Sequence, residues 1–543
     1  MKILTARDMQ SADQLSVERF AIPSLDLMEN AGHAVARFVL RELPRRRRIV
    51  VFCGKGNNGG DGMVAARYLA QAGCDLSVIL LGEPAEVSND AKEMLIRLPV
   101  SPFSVRDEAD LDRCGGLFAQ AELFLDAVVG TGFRPPLRGT AVAVREALNR
   151  YPATPVVAVD LPSGWDADSR KFAAEDACRA DAVVTFTAPK LAHIFGMLTQ
   201  GGDLARPGNI KQGPIVVAPI GSPAEAIESS TGLSWAGSSK KIADAPRHAD
   251  SNKGSFGHVL VIGGARGKAG APSMASVAAL RAGAGLVTAA VAESILPTVA
   301  GAAAELMTEP LIEGAKGEIS SRNLAPNELE SLLAKKTVLA VGPGLGQEPE
   351  AVEFFFGLLE KAEIPMVIDA DALNALALDL GRLDARGRTI VLTPHPGEMG
   401  RLTGLSVPQV QENRETLAQE FAVKHGVTLV LKGWRTLVAH PDGSMAINTT
   451  GNPGMAKGGS GDILTGIVAA MLGQYPRQAA EAVNAAVYLH GLAADFAVAR
   501  ADQHTLLALD TVAHLHNAFR FRPDDKGGYT WLQGLPGGWK EPE

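Results

Sequence analysis

No apolar run in this sequence reaches the ~20 residues that span a bilayer. The opening residues, MKILTARDMQSADQ, carry charges where a secretory signal needs an apolar core. Membrane insertion and export are therefore not expected, and the expected compartment is the cytoplasm. Cysteine is scarce. Cys53, Cys74, Cys114 and Cys178 show neither CxxC pairing nor metal-ligand spacing, so free thiols in a reducing compartment are expected. Excess positive charge is missing too: a net charge of −8 argues against nucleic acid as the main ligand. The one basic run, residues 45–48, stands before a strand-like segment and reads as its solvated approach. What remains, 46% hydrophobic and 21% charged over 543 residues, is an ordinary globular composition too long for one core. About two to four domains are expected.

Short β-branched runs recur at helix-length spacing: RIVVFC, DLSVILLGE, LFLDAVVGTGF, PVVAVDLPSG and DAVVTFTAPK. Such runs predict strands buried on both faces, hence a mostly parallel sheet with ligands beyond its carboxyl edge. Asn57, Asn58, Asp61, Asp126, Asp160 and Ser163 follow or end these runs and are candidates for one shared site. The rhythm breaks over residues 221–252, which are rich in small and polar types and read as a boundary. A second α/β series follows, with HVLVIGGARGKAGAP, TVLAVGPGLG, PMVIDADALN, TIVLTPHPGEM, TLVLKGWRTLV and NPGMAKGGSGDIL. No common period joins the halves, which predicts two different domains. The expected division is residues 1–225, a linker at 226–250, residues 251–520, and a tail of low order at 521–543.

CGKGNNGGDG, residues 53–62, contains GxGxxG, the phosphate-binding fingerprint of dinucleotide folds, and Glu83 stands where its acidic partner belongs. The two asparagines and the aspartate among the glycines point elsewhere. They supply oxygen ligands suited to a cation or to sugar hydroxyls, which glycine NH groups cannot offer. GNNGGDG, GTGF followed by LRG, and VDLPSG, in this order, resemble the NAD(P)H-hydrate epimerase family over roughly residues 1–220. The resemblance implies a Rossmann-like three-layer fold with K⁺ at Asn58, Asp126 and Ser163. It places substrate at Asn57, Asn58, Gly59, Gly60 and Asp61, and on the loop Gly130, Thr131, Gly132, Phe133, Arg134, Pro135 and Pro136. Pro135-Pro136 departs from the glycine common there. Asp160, at the end of PVVAVD, is the candidate for proton transfer and for substrate contact, because epimerisation needs a hydroxyl to leave and return on the other face.

In the second half, a glycine-rich turn running into a helix at GGSGDIL offers NH groups and a positive dipole end to an anion, with Asp462 beside it. KGSFGHVLVIGG, GPGLG, DADALN, TPHPGEM, LKGWRT and GNPGMAKGGSGD, in order over about residues 252–500, resemble the ADP-dependent NAD(P)H-hydrate dehydratase family of ribokinase-like fold. The resemblance implies adenine-nucleotide contacts at Lys432, Gly433, Trp434, Arg435, Thr436 and Gly461. Hydrated dinucleotide falls at Ala271, Gly344, His395 and Asp462, with Asp462 as general base. Mg²⁺ is expected with ADP. The expected function is bifunctional repair: epimerisation of NADHX and NADPHX, then dehydration of the S form with ADP. No nucleic-acid or membrane partner is expected, and a homo-oligomer is. Two other readings use the same residues: a ribokinase-type kinase releasing a stable phosphorylated product, and an N-terminal domain that binds dinucleotides without chemistry.

Overall fold

The computed structural model describes residues 1–87, 89–200, 212–385 and 387–536. The chain divides into two compact units, Met1–Leu233 with the segment from Pro523 onward, and Ser234–Arg522. Both are α/β, as expected.

In the first unit the strands are β1 (Arg48–Cys53), β2 (Asp75–Leu80), β3 (Phe103–Ser104), β4 (Leu123–Ala127), β5 (Val156–Val159), β6 (Ala182–Phe186) and β7 (Ile215–Ala218). They lie in the order β7-β6-β5-β4-β1-β2-β3, all parallel. Interior strands such as β5 are buried at every residue, which explains their continuous Val and Ala composition. Strand order reverses between β1 and β4, and the loops leaving these strands part there into a crevice at the carboxyl edge. The loops carrying Asn57, Gly130 and Asp160 meet at that point.

The second unit contains β8 (Leu233–Trp235, at the boundary), β9 (His258–Ile262), β10 (Leu286–Ala292), β11 (Met307–Leu311), β12 (Val338–Val341), β13 (Met366–Ile368), β14 (Ile390–Leu392), β15 (Thr428–Leu431), β16 (Leu437–Ala439) and β17 (Met445–Ile447). Their order is β11-β10-β9-β12-β13-β14-β15-β16-β17-β8. Strands β11 through β15 are parallel, and β15-β16-β17 form an antiparallel meander.

Two expectations are corrected. Residues 226–250 are not a plain linker, for they contain β8 and a 3₁₀ helix, Ala236–Ala243. Trp235 is buried there, donating Nε1–H to Thr449 Oγ1 at 2.8 Å, and the buried Lys240 ammonium donates to Asp244 and to the Phe519 and Phe521 carbonyls. One aromatic anchor and one neutralised lysine hold a segment that has no periodicity to announce it. The expected tail likewise supplies a strand, β18 (Thr530–Gln533), antiparallel on β7. Tyr529 and Trp531 are buried beside it, and Tyr529 donates its hydroxyl to Ala34 O at 2.7 Å, so an open sheet edge is covered. The remainder of that expected tail, residues 537–543, lies outside the described residues. Among the described residues no helix is long and apolar enough to cross a membrane.

Candidate active sites

The glycines of residues 53–62 are chiefly packing residues. A Cβ on Gly54 would overlap the Val128 carbonyl, one on Gly59 the Gly54 carbonyl, and one on Gly60 would press on Met28 Sδ. The helix Asn57–Gln71 thereby comes down against the strand ends and the helix Ser24–Glu42, leaving Asn57, Asn58 and Asp61 facing a cleft of about 680 Å³. Gly130, Thr131, Gly132, Phe133 and Asp160 line the same cleft. Other expected contacts are not brought there. Gly59 and Gly60 are buried in packing, Pro135 and Pro136 lie off the lining, and Arg134 is turned to Asp166 at 2.8 Å and Asp168 at 3.1 Å. Two nearby carboxylates hold the guanidinium there.

Asp160 closes β5 in the left-handed region, at φ 67°, a conformation costly for a residue with a Cβ and typical of functional turns. Its amide donates to Val184 O at 2.8 Å and His193 Nε2 lies 2.7 Å from its carbonyl oxygen, which pins the turn. Four donors fill the carboxylate. Oδ2 accepts from Thr131 N and Oγ1 at 2.7 and 2.6 Å, and Oδ1 from Thr185 Oγ1 and Lys190 Nζ at 2.8 and 2.9 Å. Burial alone would raise its pKa, but Lys190 foremost, with His193 and Thr131, holds it well below the usual carboxylate range. Lys190, Thr185 and His193 were not singled out from sequence. Lys190 ends FTAPK just after β6, the position from which a side chain enters the crevice, and that was the available signal.

Asp126, Ser163 and Asn58 were expected to converge. Ser163 donates its hydroxyl to Asp126 Oδ1 at 2.6 Å and its amide to Oδ2 at 2.8 Å, and accepts from Val129 N at 3.0 Å. Asp126 is fully buried on β4; desolvation raises its pKa against the pull of these hydrogen bonds, and among the described residues no cationic side chain pairs with it. Asn58 is not bonded to either. Its carboxamide faces Gly130, where a Cβ would come 2.9 Å from Asn58 Oδ1 and 2.8 Å from Asp160 Oδ2, and its Nδ2 is buried without a partner among the described residues. A buried, uncompensated carboxylate with hydroxyl and amide oxygens nearby fits a weakly charged cation that prefers oxygen.

In the second unit, Lys432 to Thr436 follow β15 and line a cleft of about 700 Å³ together with His395, Ser460 and Gly461. The helix Ser460–Gln474 starts there with its amides toward the cleft. Within the loop the roles divide. Arg435 is buried, donates to Thr449 O at 2.8 Å and lies 4.2 Å from the centroid of the Trp434 ring, which is 40% exposed on the cleft wall. His395 caps the helix Pro396–Thr403, its Nδ1 accepting from Gly397 N at 3.0 Å and Glu398 N at 3.3 Å, which leaves the proton on Nε2. It is thus both a turn residue and part of the cleft wall.

Asp462, in the first turn of Ser460–Gln474, stands behind this cleft. Desolvation, then the negative charge of Asp369, raises its pKa to about 7, while Lys432 pulls it down. Asp369, at the end of β13, takes Lys432 Nζ at 3.0 Å and Thr465 Oγ1 at 2.7 Å; burial opposes its charge, but these partners win and its pKa is lowered. Gly344, at φ 66°, lies against Ala271, and Asp371 nearby takes Lys268 Nζ at 2.9 Å. Ala271, Gly344 and Asp462 therefore lie off the wall that carries Lys432 to Thr436. Asp369, Glu398 and Thr465 were missed as individuals, though DADALN, TPHPGEM and GDILTG contain them.

Comparison with known proteins gives two family matches: YjeF-related protein N-terminus over residues 24–192 and NAD(P)H-hydrate dehydratase over residues 259–516. A bifunctional NAD(P)H-hydrate repair enzyme of Moorella thermoacetica is 40% identical over 96% of this chain and 97% of its own length. The Escherichia coli protein of the same name is 34% identical over 96% and 94%. An ADP/ATP-dependent NAD(P)H-hydrate dehydratase from Bacillus subtilis, solved with ATP and Mg²⁺, is 32% identical over 52% of this chain and 96% of its own, at a TM-score of 0.45. With both units matched and relatives aligned end to end, the chain belongs to the family of bifunctional NAD(P)H-hydrate repair enzymes.

Proposed function

We propose that the first unit interconverts the R and S epimers of hydrated NADH and NADPH, and that the second dehydrates the S epimer at the expense of ADP, giving NAD(P)H, AMP and phosphate. The observation that carries this reading is a contrast between two carboxylates. Asp160 is held ionised by Lys190 in the cleft of the first unit, whereas Asp462, in the first turn of the helix Ser460–Gln474, has its pKa raised to about 7 by burial and the charge of Asp369.

In the first cleft, Asn57, Asn58, Asp61 and the loop Gly130 to Phe133 hold the substrate. Asp160 accepts a proton from the water that returns to the ring carbon. Asn58, Asp126 and Ser163 would hold K⁺, which when bound compensates the buried Asp126 charge. In the second unit, Lys432 to Thr436 and Gly461 hold the nucleotide, and Ala271, Gly344, His395 and Asp462 face the dinucleotide. Asp462 takes the proton of the ring hydroxyl as its oxygen attacks the terminal phosphorus of ADP, and the P–O bond to AMP breaks. The helix-start amides bear the charge of the phosphoryl oxygens. The C–O bond then breaks, phosphate leaves, and loss of a proton from the neighbouring carbon restores the ring. Phosphate is the better leaving group than hydroxide. Mg²⁺ would be held mainly by the nucleotide phosphates, where it would offset their charge; among the described residues no group of three His, Cys, Asp or Glu side chains offers a separate cage.

The test is incubation of the full chain with authentic hydrated NADH and ADP, following NADH absorbance and phosphate. Both should rise together until the whole epimer mixture is consumed. A stable phosphorylated dinucleotide without NADH would make the second unit a kinase instead.

A further inference from the structure

Epimerisation at the hydrated ring carbon needs two proton transfers. A proton must reach the departing hydroxyl so that it leaves as water, and a proton must be taken from the water that adds to the opposite face. Asp160 suits only the second. Its two oxygens already accept four hydrogen bonds, one from the ammonium of Lys190, so it has no proton to give. Lys190 is equally committed: its three N–H groups go to Asp160 Oδ1 at 2.9 Å, Thr185 Oγ1 at 2.9 Å and Phe186 O at 3.2 Å.

A second carboxyl group enters the cleft from its helical wall. Asp13 lies on the helix Ala6–Glu18 beside Met9, Ala12 and Ser16, the buried face of that helix, where packing alone would call for an apolar residue. It lines the same cleft as Asp160, Asp61, Asn57 and Asn58, and its Oδ1 is buried with no hydrogen-bond partner among the described residues. An orphaned carboxyl oxygen is costly unless something is meant to meet it.

We infer that Asp13 is the acid of the epimerisation, donating its carboxyl proton to the ring hydroxyl while Asp160 accepts the proton of the returning water. This rests on the epimerase reading of the first unit. Asp13 O–H protonates the hydroxyl, the C–O bond breaks with its electron pair leaving on water, and the ring nitrogen's lone pair forms C=N⁺. Water adds from the other face as the Thr131 hydroxyl turns away from Asp160 Oδ2, the freed lone pair there takes the water's proton, and exchange through cleft water returns that proton to Asp13. No oxidant or reductant is needed. The charged groups around Asp13 fit the role: Asp160, Lys190 and Asp61 face the cleft with it, and Lys55 and Asp90 stand on the lining. Desolvation, with Asp160 adding to it and Lys190 opposing, raises the Asp13 pKa to about 6.

The experiment measures R-to-S conversion by the full chain across pH 5 to 9, with epimers separated by chromatography and the buffer rate subtracted. For an acid, the wild-type kcat/KM should fall as pH rises above about 6. Asp13→Asn should lower kcat at least about 10²-fold and abolish that descending limb, with KM changed only a few-fold. Asp13→Glu should recover part of the rate together with the limb, and dehydration of pure S epimer should be normal in both variants. If Asp13→Asn keeps the rate within threefold, or keeps the limb, the inference is overturned and Asp61 inherits the question. If wild type shows no descending limb, it is overturned whether or not Asp13→Asn folds. If wild type does not exceed the buffer rate at any pH, the epimerase reading itself fails.

Discussion

Lys432 Nζ lies 3.0 Å from Asp369 Oδ1, and the same ammonium stands 3.8 Å from Glu398 Oε2, so one cation serves two carboxylates beside Asp462. Burial would lower the Lys432 pKa, but Asp369 and Glu398 raise it, and the charge persists at neutral pH.

The pH profile of dehydration follows from this. Asp462 is a base only when ionised, so the rate with S epimer and saturating ADP should rise with pH through about 7. Lys432→Met removes the charge that draws Asp462 down, and the rising limb should move to higher pH. Initial-rate profiles check this, and an unmoved limb would mean that Lys432 does not govern Asp462.

The buried pair Asp160–Lys190 predicts a stability effect in the first unit. Lys190→Met leaves a buried carboxylate alone and should cost about 3–5 kcal/mol in urea unfolding, with Asp160→Asn/Lys190→Met recovering most of it. Because the folded Asp160 pKa lies below its ordinary 3.8, the pair stabilises at all pH above that value and is lost as pH falls through the lower folded one. The gap between wild type and Lys190→Met should therefore close in acid.

A Cβ at Gly461 would stand 3.3 Å from Lys432 Nζ and 3.5 Å from Asp369 Oδ2, a close contact that the branched side chain of valine would tighten at the helix start proposed to take the nucleotide phosphate. Gly461→Val should abolish ADP-dependent dehydration and leave R–S interconversion intact, since Gly461 belongs to the second unit alone. Loss of both activities in a folded protein would make the two sites one.

Asp160→Asn should divide the time course. With an equilibrated epimer mixture and excess ADP, wild type should clear the pool to NADH in one phase, whereas the variant should show a fast partial phase and a slow remainder. Adding Asp462→Asn protein should restore the single phase, because epimers diffuse between molecules. Clearance by Asp160→Asn at the wild-type rate would leave the first unit a binding module.

Potassium should support epimerisation and not dehydration. Replacing K⁺ by tetramethylammonium, too large for the site proposed at Asn58, Asp126 and Ser163, should slow R–S interconversion at least about 10-fold, and Asp126→Asn should remove the K⁺ response. Equal rates in both salts would dismiss the ion from these residues.

The two-domain α/β architecture was legible from the sequence because a strand buried on both faces must be apolar throughout, and short runs such as VVAV and TLVL can hardly be anything else. The motif loops were legible for a related reason: residues following a parallel strand fall at the carboxyl edge of the sheet, which made Asn58 and Asp160 candidates, whereas Asp462 was marked by its glycine-rich turn and helix start and Lys432 by resemblance alone. The roles of their neighbours were decided only in three dimensions. Lys190 meets Asp160 across 30 residues, Thr465 meets Asp369 across 96, and Asp13 reaches the cleft from a helix with no motif to mark it. Charge compensation and desolvation depend on which groups share a small volume, and no local pattern encodes that. The same holds for Tyr529 and Trp531, whose strand exists because the edge of β7 offers hydrogen bonds and a buried face to a segment that, read alone, is a glycine-rich tail.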